Sequence, residues 1–530
     1  MLAGQPIIIL RDNVERVGGS EAQKSNIMAA KAIAEAVRTT LGPRGMDKML
    51  VAPGGNVVIT NDGVTILHEM KVEHPTGKLI IEVAETQDEE VGDGTTTATI
   101  FMGALMAEAE AMLEKKVHPT IIANGYRLGM TRALEILEEQ AITATEDREM
   151  LRKVALTSVT GKSIEDIKDR IVDIVVDAVT SVAVKREDGS YEIDEDDVII
   201  KTMVGDQMSD AELLDGFLID KTRVQYGMPK VVENARIACF SLALETTKTQ
   251  TKSKIKITSA EQMEAFNEQE QAKLREFAET IKAKGVNAVF CQKGIADSVQ
   301  YHLLKNGIFA IQDVPEADLK RMARAVDATI VNKPEDLTED AIGEAGRIAE
   351  MKDITITQIT GCKNPRTVSI LLKGGSQIFV DELERGVYDG IRVVMDALED
   401  GKFVVGGAAI DTELMMQLQT YAATQEGRTQ LAIEAFARIF EAIPNTLAEN
   451  SGYDQIDKLV ALKAAHAAGN RYAGLNVFTG EIVDMYEAGV IEPMRVKKQA
   501  IISSAETASL IIRVDDMMLS KNADQMARGR

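Results

Sequence analysis

The 530-residue chain contains no tryptophan, aromatic residues make up only 4% of it, and its charge is one-sided. With so few rings the cores must be aliphatic, and 24 methionines supply adaptable filling. Cysteine is scarce as well. Cys239, Cys291 and Cys362 stand far apart, an odd number without metal-ligand spacing, which excludes a disulfide framework and fits a reducing compartment. Lysine and arginine number 60 against 83 aspartates and glutamates, a formal net charge of -23. A polyanion is repelled by such a surface, so nucleic acid and anionic membrane are excluded as main partners. The apolar stretch near the start, Ile7 to Leu10, is too short for a membrane span or a secretory core and lacks a charged leader, so a soluble cytoplasmic protein is expected.

What is present suffices for large cores. Hydrophobic residues make up 45% of the chain, and its length exceeds one ordinary core, which implies about three or four domains. Ser20 to Leu41 carries Ile27, Ala30, Ile33, Ala34 and Val37 at helical spacing, with Ser20 and Gln23 placed as a capping box; Gly42-Pro43 ends it. Asn56 to Thr60 is short and β-branched, and Asn61-Asp62-Gly63 is expected to turn it back into Val64 to Leu67 as a hairpin with Asp62 at the tip. Glu69 to Ala141 reads as helical, interrupted at Gly92 to Thr97 and at Val117 to Thr120. Strand-like period two arrives between Val198 and Leu244. Apolar runs and helical patterns then alternate as Val286 to Cys291, Ile295 to Lys305, Ile308 to Ile311, Pro315 to Val326 and Thr329 to Val331. That is a βαβαβ unit with a parallel sheet, in a compact domain of roughly residues 214 to 367, without the glycine fingerprint of a dinucleotide site. Beyond Val380 helical texture returns, over Glu382 to Glu399 and Thr412 to Pro444. Similar texture at both ends around a different middle implies an insertion, with the ends building one domain together.

Chemistry concentrates at Gly92-Asp93-Gly94-Thr95-Thr96-Thr97, a glycine pair around one carboxylate followed by three hydroxyls at a helix start. Unpaired N–H groups in a first turn favour phosphate, and a carboxylate beside phosphate makes sense with a divalent cation such as Mg2+ between them. An Asx turn that merely starts a helix fits the same residues. Gly161-Lys162-Ser163 is no Walker A, because position 156 is leucine where the motif needs glycine; Lys162 is either a phosphate contact or a solvated lysine. If the ends meet, Asp389, Gly406-Gly407, Asn476 and Glu492 join this group, two of them as close-approach glycines and two as hydrogen-bonding side chains for a base or ribose.

Five ordered segments, Leu41 to Leu50, Asn61 to Leu67, Gly92 to Thr97, Gly474 to Val477 and Gly489 to Pro493, resemble the signatures of the group II chaperonins, the archaeal thermosome and its eukaryotic cytosolic relatives. The resemblance runs from about residue 20 to 515. It implies a multidomain α+β fold: a mainly helical equatorial ATPase domain from both chain ends (1–144 and 402–530), a small discontinuous intermediate hinge domain (145–213 and 368–401), and an α/β apical domain (214–367) with a helical lid protrusion at about 245–275. It implies an ATP-dependent protein-folding chaperone that hydrolyses Mg-ATP to close a lid over the cavity of two stacked rings, homo- or hetero-oligomeric with eight or nine subunits each, acting on unfolded or partly folded proteins.

By motif, Asp93 would ligate Mg2+, while Gly94, Thr95, Thr96 and Thr97 hold phosphates and Leu41, Gly42 and Pro43 close over the nucleotide. Asp62 and Asp389 would position and activate the attacking water. Thr160, Gly161 and Lys162 would sense the γ-phosphate, and Gly406, Gly407, Asn476, Val477 and Glu492 would hold the nucleoside end. The chain departs from the family at Ala408, where a third glycine is usual, and at Tyr388-Asp389-Gly390, where His-Asp-Ala is common; it closes on Met526 to Arg530 without a Gly/Met-rich tail. Two other classes share such a site: an ATP-dependent phosphotransferase acting on a small metabolite, and a nucleotide-binding ring scaffold that does not hydrolyse.

Overall fold

The computed structural model describes residues 14–520 apart from 52–53, 56, 145–146, 163–166, 188, 206–209, 246–259, 352–354 and 364–366. Its helices, in chain order, are α1 (Ser20–Arg38), α2 (Gly63–Glu69), α3 (Pro75–Val91), α4 (Thr95–Glu114), α5 (Pro119–Gln140), α6 (Arg148–Val159), α7 (Lys168–Val182) and α8 (Ala260–Ala283). There follow α9 (Asp297–Lys305), α10 (Glu316–Ala325), α11 (Gln377–Asp400), α12 (Ala409–Ala422), α13 (Arg428–Arg438), α14 (Ala442–Asn450), α15 (Gln455–Ala467) and α16 (Met494–Ile512). None of the described helices is long and apolar enough to cross a membrane. The chain divides into two compact units, one from residues 1–176 with 381–530 and one from residues 177–380. The two ends thus build one unit around an inserted second.

The first unit is mainly helical. α4 packs on α1 and α16, and α5 on α13 and α16, so the apolar periodicity of these five helices closes on one core. Phe440 anchors it, edge-on to Phe101 at 5.2 Å and to Phe436 at 5.8 Å, an arrangement that aligns ring edges with ring faces. Tyr126 is fully buried because its hydroxyl donates to Leu105 O at 2.7 Å. The strands Val14–Gly18 and Asp516–Ser520 pair antiparallel, joining the described ends of the chain.

Two local readings of this unit need correction. Ser20 does not cap α1: it is the first helical residue, Gly19 is the cap without a side-chain bond, and Gln23 N–H bonds to Gly19 O. Asp62 is not a hairpin tip. The strand Val57–Thr60 pairs backward with Lys48–Val51, and Asp62 starts α2, whose buried Gly63, Ile66 and Leu67 follow helical spacing. The β-branched look of Val64-Thr65-Ile66 masked an N-cap aspartate in the sequence. Thr412 to Pro444 is helical as expected, divided among α12, α13 and α14 and interrupted at Gly427, whose φ of 71° a continuous helix cannot hold.

In the second unit a mixed sheet runs Phe309–Ile311, Ala288–Cys291, Val231–Phe240, Gly343–Glu350, Thr357–Cys362, Phe217–Ile219. Its first three strands are parallel, and Ile330–Val331 lies parallel to the end of the third, as the βαβαβ reading expects. The other half is antiparallel; Phe217–Ile219 lies in the period-two stretch, but its pairing has no local signature. Helices cover both faces: α10 supplies Leu319 and Met322 to one, α8 and α9 supply Phe277 and Leu303 to the other. Every residue of Ala288–Cys291 is therefore buried, which is why it reads as an unbroken apolar run. Cys239 and Cys291 are buried and Cys362 half-buried, all as free thiols that burial pushes up to about 12, 11 and 11. Part of the expected lid segment, residues 246–259, lies outside the described residues; from Ala260 onward the chain is α8.

Candidate functional site

A cavity of about 470 Å³ opens in the first unit, within the size range of small-molecule sites. One wall is the turn between α3 and α4. Gly92 ends α3 at φ 64° and Gly94 precedes α4 at φ 82°, both in the left-handed region that glycine occupies without cost. Asp93 sits between them, its Oδ1 accepting from Gly94 N–H at 2.7 Å. Gln87 fixes the turn from behind by donating to Asp93 O at 2.8 Å and Val496 O at 3.1 Å. Asp93 is therefore not the cap of α4. The cap position is Gly94, which has no side chain to offer, so the first turn of α4 has no side-chain cap, and its residues Thr95, Thr96 and Thr97 line the cavity, a setting that suits an anion.

The turn at Asp62 is stacked on this one: a Cβ at Gly63 would fall 2.8 Å from Thr96 Oγ1 and 2.9 Å from Thr95 Oγ1. Asp62 does cap α2, its Oδ2 accepting from Thr65 N–H at 2.9 Å and Thr65 Oγ1 at 2.6 Å, while Oδ1 receives Thr95 Oγ1 at 3.3 Å. One carboxylate oxygen is spent on local structure and the other leans into the site.

Facing these turns, the loop after α6 brings Thr160, Gly161 and Lys162. Thr160 Oγ1 donates to Leu156 O at 2.6 Å and so serves the helix end. Gly161 has φ 91°, a Cβ there would lie 2.6 Å from Pro43 Cα, and Asn61 Nδ2 donates to Gly161 O at 3.0 Å, so three loops close on one another. Lys162 forms an ion pair and hydrogen bond with Asp389 of α11. Burial raises the Asp389 carboxyl to about 8, against the pull of Lys162 and with help from Asp62 and Asp93. Burial works against the Lys162 ammonium too, but Asp389, Asp93 and Asp62 outweigh it and hold the lysine charged.

At the far end, the strand Lys402–Val405 pairs with Ile491–Pro493, Val404 opposite Glu492. Glu492 packs on the glycine loop so closely that a Cβ at Gly406 would fall 2.6 Å from its Oε1. Asn476 Oδ1 accepts from Phe478 N–H at 3.0 Å and Thr479 N–H at 3.2 Å, so its carbonyl shapes its own turn and the amide NH2 is the group offered to a ligand.

Of the residues named from sequence, all but Gly406 line this cavity; Gly406 stands behind Glu492. Sequence reasoning missed Asp411 and Lys497, which also line it. Lys497 Nζ lies 3.2 Å from both Asp411 carboxylate oxygens and 4.0 Å from Glu492 Oε2, a buried cation shared by two acids. Asp88, one turn before the end of α3, was missed as well, and burial followed by the charge of Asp62 raises it to about 6. Only its position beside the Asp93 turn could have flagged it.

Residues 33–522 match the model of the TCP-1/cpn60 chaperonin family. The chain belongs to that family. It is similar to thermosome subunit beta of Archaeoglobus fulgidus, 49% identical over 531 residues that cover 100% of this chain and 97% of that relative. A thermosome subunit of Methanopyrus kandleri is 48% identical over 526 residues, 98% of this chain and 96% of the relative. Among solved structures, an open-state monomer of a group II chaperonin from Methanococcoides burtonii has 41% identity and a TM-score of 0.63, covering 80% of this chain and all of that one.

In this chaperonin the alanine at 408 adopts φ 68°, the conformation a third glycine would take freely. Left-handed backbone costs an alanine about 1–2 kcal/mol. Its buried methyl, packed in the core with Val404 and Leu475, returns about 0.8 kcal/mol. Ala408→Gly releases the strain, forfeits the burial and loosens the unfolded chain, so urea unfolding should shift by less than about 1 kcal/mol. A loss above about 2 kcal/mol would make the methyl a packing requirement of the loop.

Proposed function

We propose that this chaperonin chain binds Mg-ATP in the cavity of its first unit and hydrolyses it. The observation that carries the reading is the convergence of Asp62, Asp93, Asp389 and Lys162 on the N-terminus of α4. Five acids, Asp62, Asp93, Asp389, Asp411 and Glu492, line the cavity against three lysines, Lys162, Lys168 and Lys497. Such a surplus repels a bare polyphosphate, so a divalent cation fits the charge, and Asp93 is the residue that would hold it. When bound, Mg2+ masks phosphate charge and orients the phosphates. The α4 N-terminus and Lys162 bind the phosphates, and Asp62 with Asp389 orients the attacking water. A carboxyl raised toward neutrality suits proton acceptance near pH 7. Phosphoryl transfer is mostly such positioning and charge stabilisation.

The family brings with it the role of an ATP-dependent protein-folding chaperone working as a double ring. We assign residues 1–144 and 402–530 to an equatorial domain, 145–213 and 368–401 to a hinge, and 214–367 to a substrate-binding domain with a lid near 245–275. Rings of eight or nine subunits, unfolded clients and a cytoplasmic setting complete the reading. Hydrolysis in the hinge-linked site would shift the population between open and closed lids.

Purified protein is expected to release phosphate from ATP with no added acceptor, to stop when Mg2+ is chelated, and to show stacked rings by electron microscopy. A need for a small-molecule acceptor would favour a phosphotransferase. Rings without hydrolysis would favour a scaffold.

A further inference from the structure

Behind the nucleoside end of the cavity, three elements meet on one imidazole. His466, in the last turn of α15, has a fully buried side chain. Its Nδ1 lies 2.8 Å from Glu413 Oε2 on α12, and its Nε2 lies 2.8 Å from Ala473 O. A carboxylate and a carbonyl are both acceptors, so both ring nitrogens must donate and the ring is an imidazolium. Glu413 is set up as the matching anion: its Oε1 takes the Gln417 amide at 2.6 Å, and the hydrogen bond from His466 holds its carboxyl below the usual range.

Both partners lead directly into the cavity. α12 begins after Gly407 and Ala408, and Ala473 opens the strand Ala473–Leu475 that delivers Asn476. Leu475 N–H donates to Gly407 O at 2.9 Å, tying the two loops on the cavity side, while His466 ties their supports on the buried side. A Cβ at Gly474 would fall 2.5 Å from Gly407 O, so the loops are in contact with no slack.

We propose that His466 is a positioning residue of the nucleotide site, clamping α12 to the Ala473–Leu475 strand and so holding Gly407 and Asn476 in register for the nucleoside. The inference rests on the cavity binding ATP as proposed above. Among the described residues, the charged groups around the clamp are Glu413 from α12, Arg471 ahead of the strand, and Lys463 paired with Glu441 one turn back along α15. The neighbouring strand Ile482–Asp484 brings Asp484, whose carboxylate accepts from Tyr486 and Glu487 N–H. A ring that donated from one nitrogen only would serve one of these two acceptors, and the clamp would open on one side.

The test uses the full-length protein and steady-state ATP hydrolysis. His466→Gln is expected to raise KM for ATP about tenfold, the effect of one lost charge-assisted hydrogen bond, with the change in KM and not in kcat. Glu413→Gln, which keeps the shape and removes the counter-charge, should raise KM in the same way, and it serves if the first variant fails to fold. Hydrogen exchange at the amides of residues 473–477 should quicken in both variants. Equal KM values for parent and variants overturn the proposal, as does faster exchange with unchanged KM. A parent that hydrolyses no ATP overturns the nucleotide reading itself, a distinct result.

Discussion

Asp389→Ala is expected to lower kcat for ATP hydrolysis by about 100-fold or more, the scale of a lost general base, while ATP still binds. The carboxyl is buried beside Lys162 and raised to about 8, so it can take a proton near neutrality. Removing it has two consequences that must be separated. The attacking water loses its acceptor, which reduces kcat, and Lys162 loses its partner, which leaves its ammonium for phosphate and should preserve or tighten binding. Asp389→Asn keeps the shape and an oxygen acceptor for Lys162 but cannot accept a proton, so it should be as slow as the alanine variant. Only the ionised carboxylate works as a base, so the parent's kcat should climb as pH rises toward about 8, and the asparagine variant should lose that slope. Phosphate release across pH, beside fluorescent-nucleotide binding, reads both quantities. Normal turnover in either variant would remove Asp389 from the reaction and leave it as the structural counter-ion of Lys162.

The same residue shows what sequence could reveal. Helical faces such as Ile27, Ala30 and Ile33 in α1, and buried strands such as Ala288–Cys291, announce themselves because their periodicity is local. The insertion was legible from texture, and it alone allowed Asp389 to be considered with Asp62 and Asp93. Pairings without a local signature stayed hidden. Phe217–Ile219 joins Thr357–Ile359 across some 140 intervening positions, and nothing in either stretch names the other. Lys497 and Asp411 lie on α16 and α12, and each looks like an ordinary charged helical residue until packing buries them together. His466 carries no motif at all. At Asp62 the signal was present and misread: an aspartate before Gly63, Ile66 and Leu67 is a helix start, and the β-branched residues between them obscured it.

Asp93→Ala should abolish the benefit of Mg2+ for ATP binding, weakening Mg-ATP affinity by at least about tenfold, or about 1.4 kcal/mol. The alternative, that Asp93 only shapes a turn, makes a different forecast, and the geometry keeps the two apart. Asp93 is not the cap of α4, and its one local bond is to Gly94 N–H, so alanine should cost the fold only about 1 kcal/mol. Chemical unfolding of the variant would verify that the site is still built. Gln87 holds the turn through Asp93 O, a backbone atom the substitution leaves in place. With Mg2+ chelated, the variant should bind ATP as well as the parent or better, because a carboxylate facing phosphate has been removed. The expected signature is therefore an interaction between residue and cation: a large difference between parent and variant in Mg2+, and none or a reversed one without it. If Mg-ATP bound equally tightly to both, or the loss were the same size after chelation, Asp93 would hold no cation and the carboxylate surplus of the cavity would need another counter-charge.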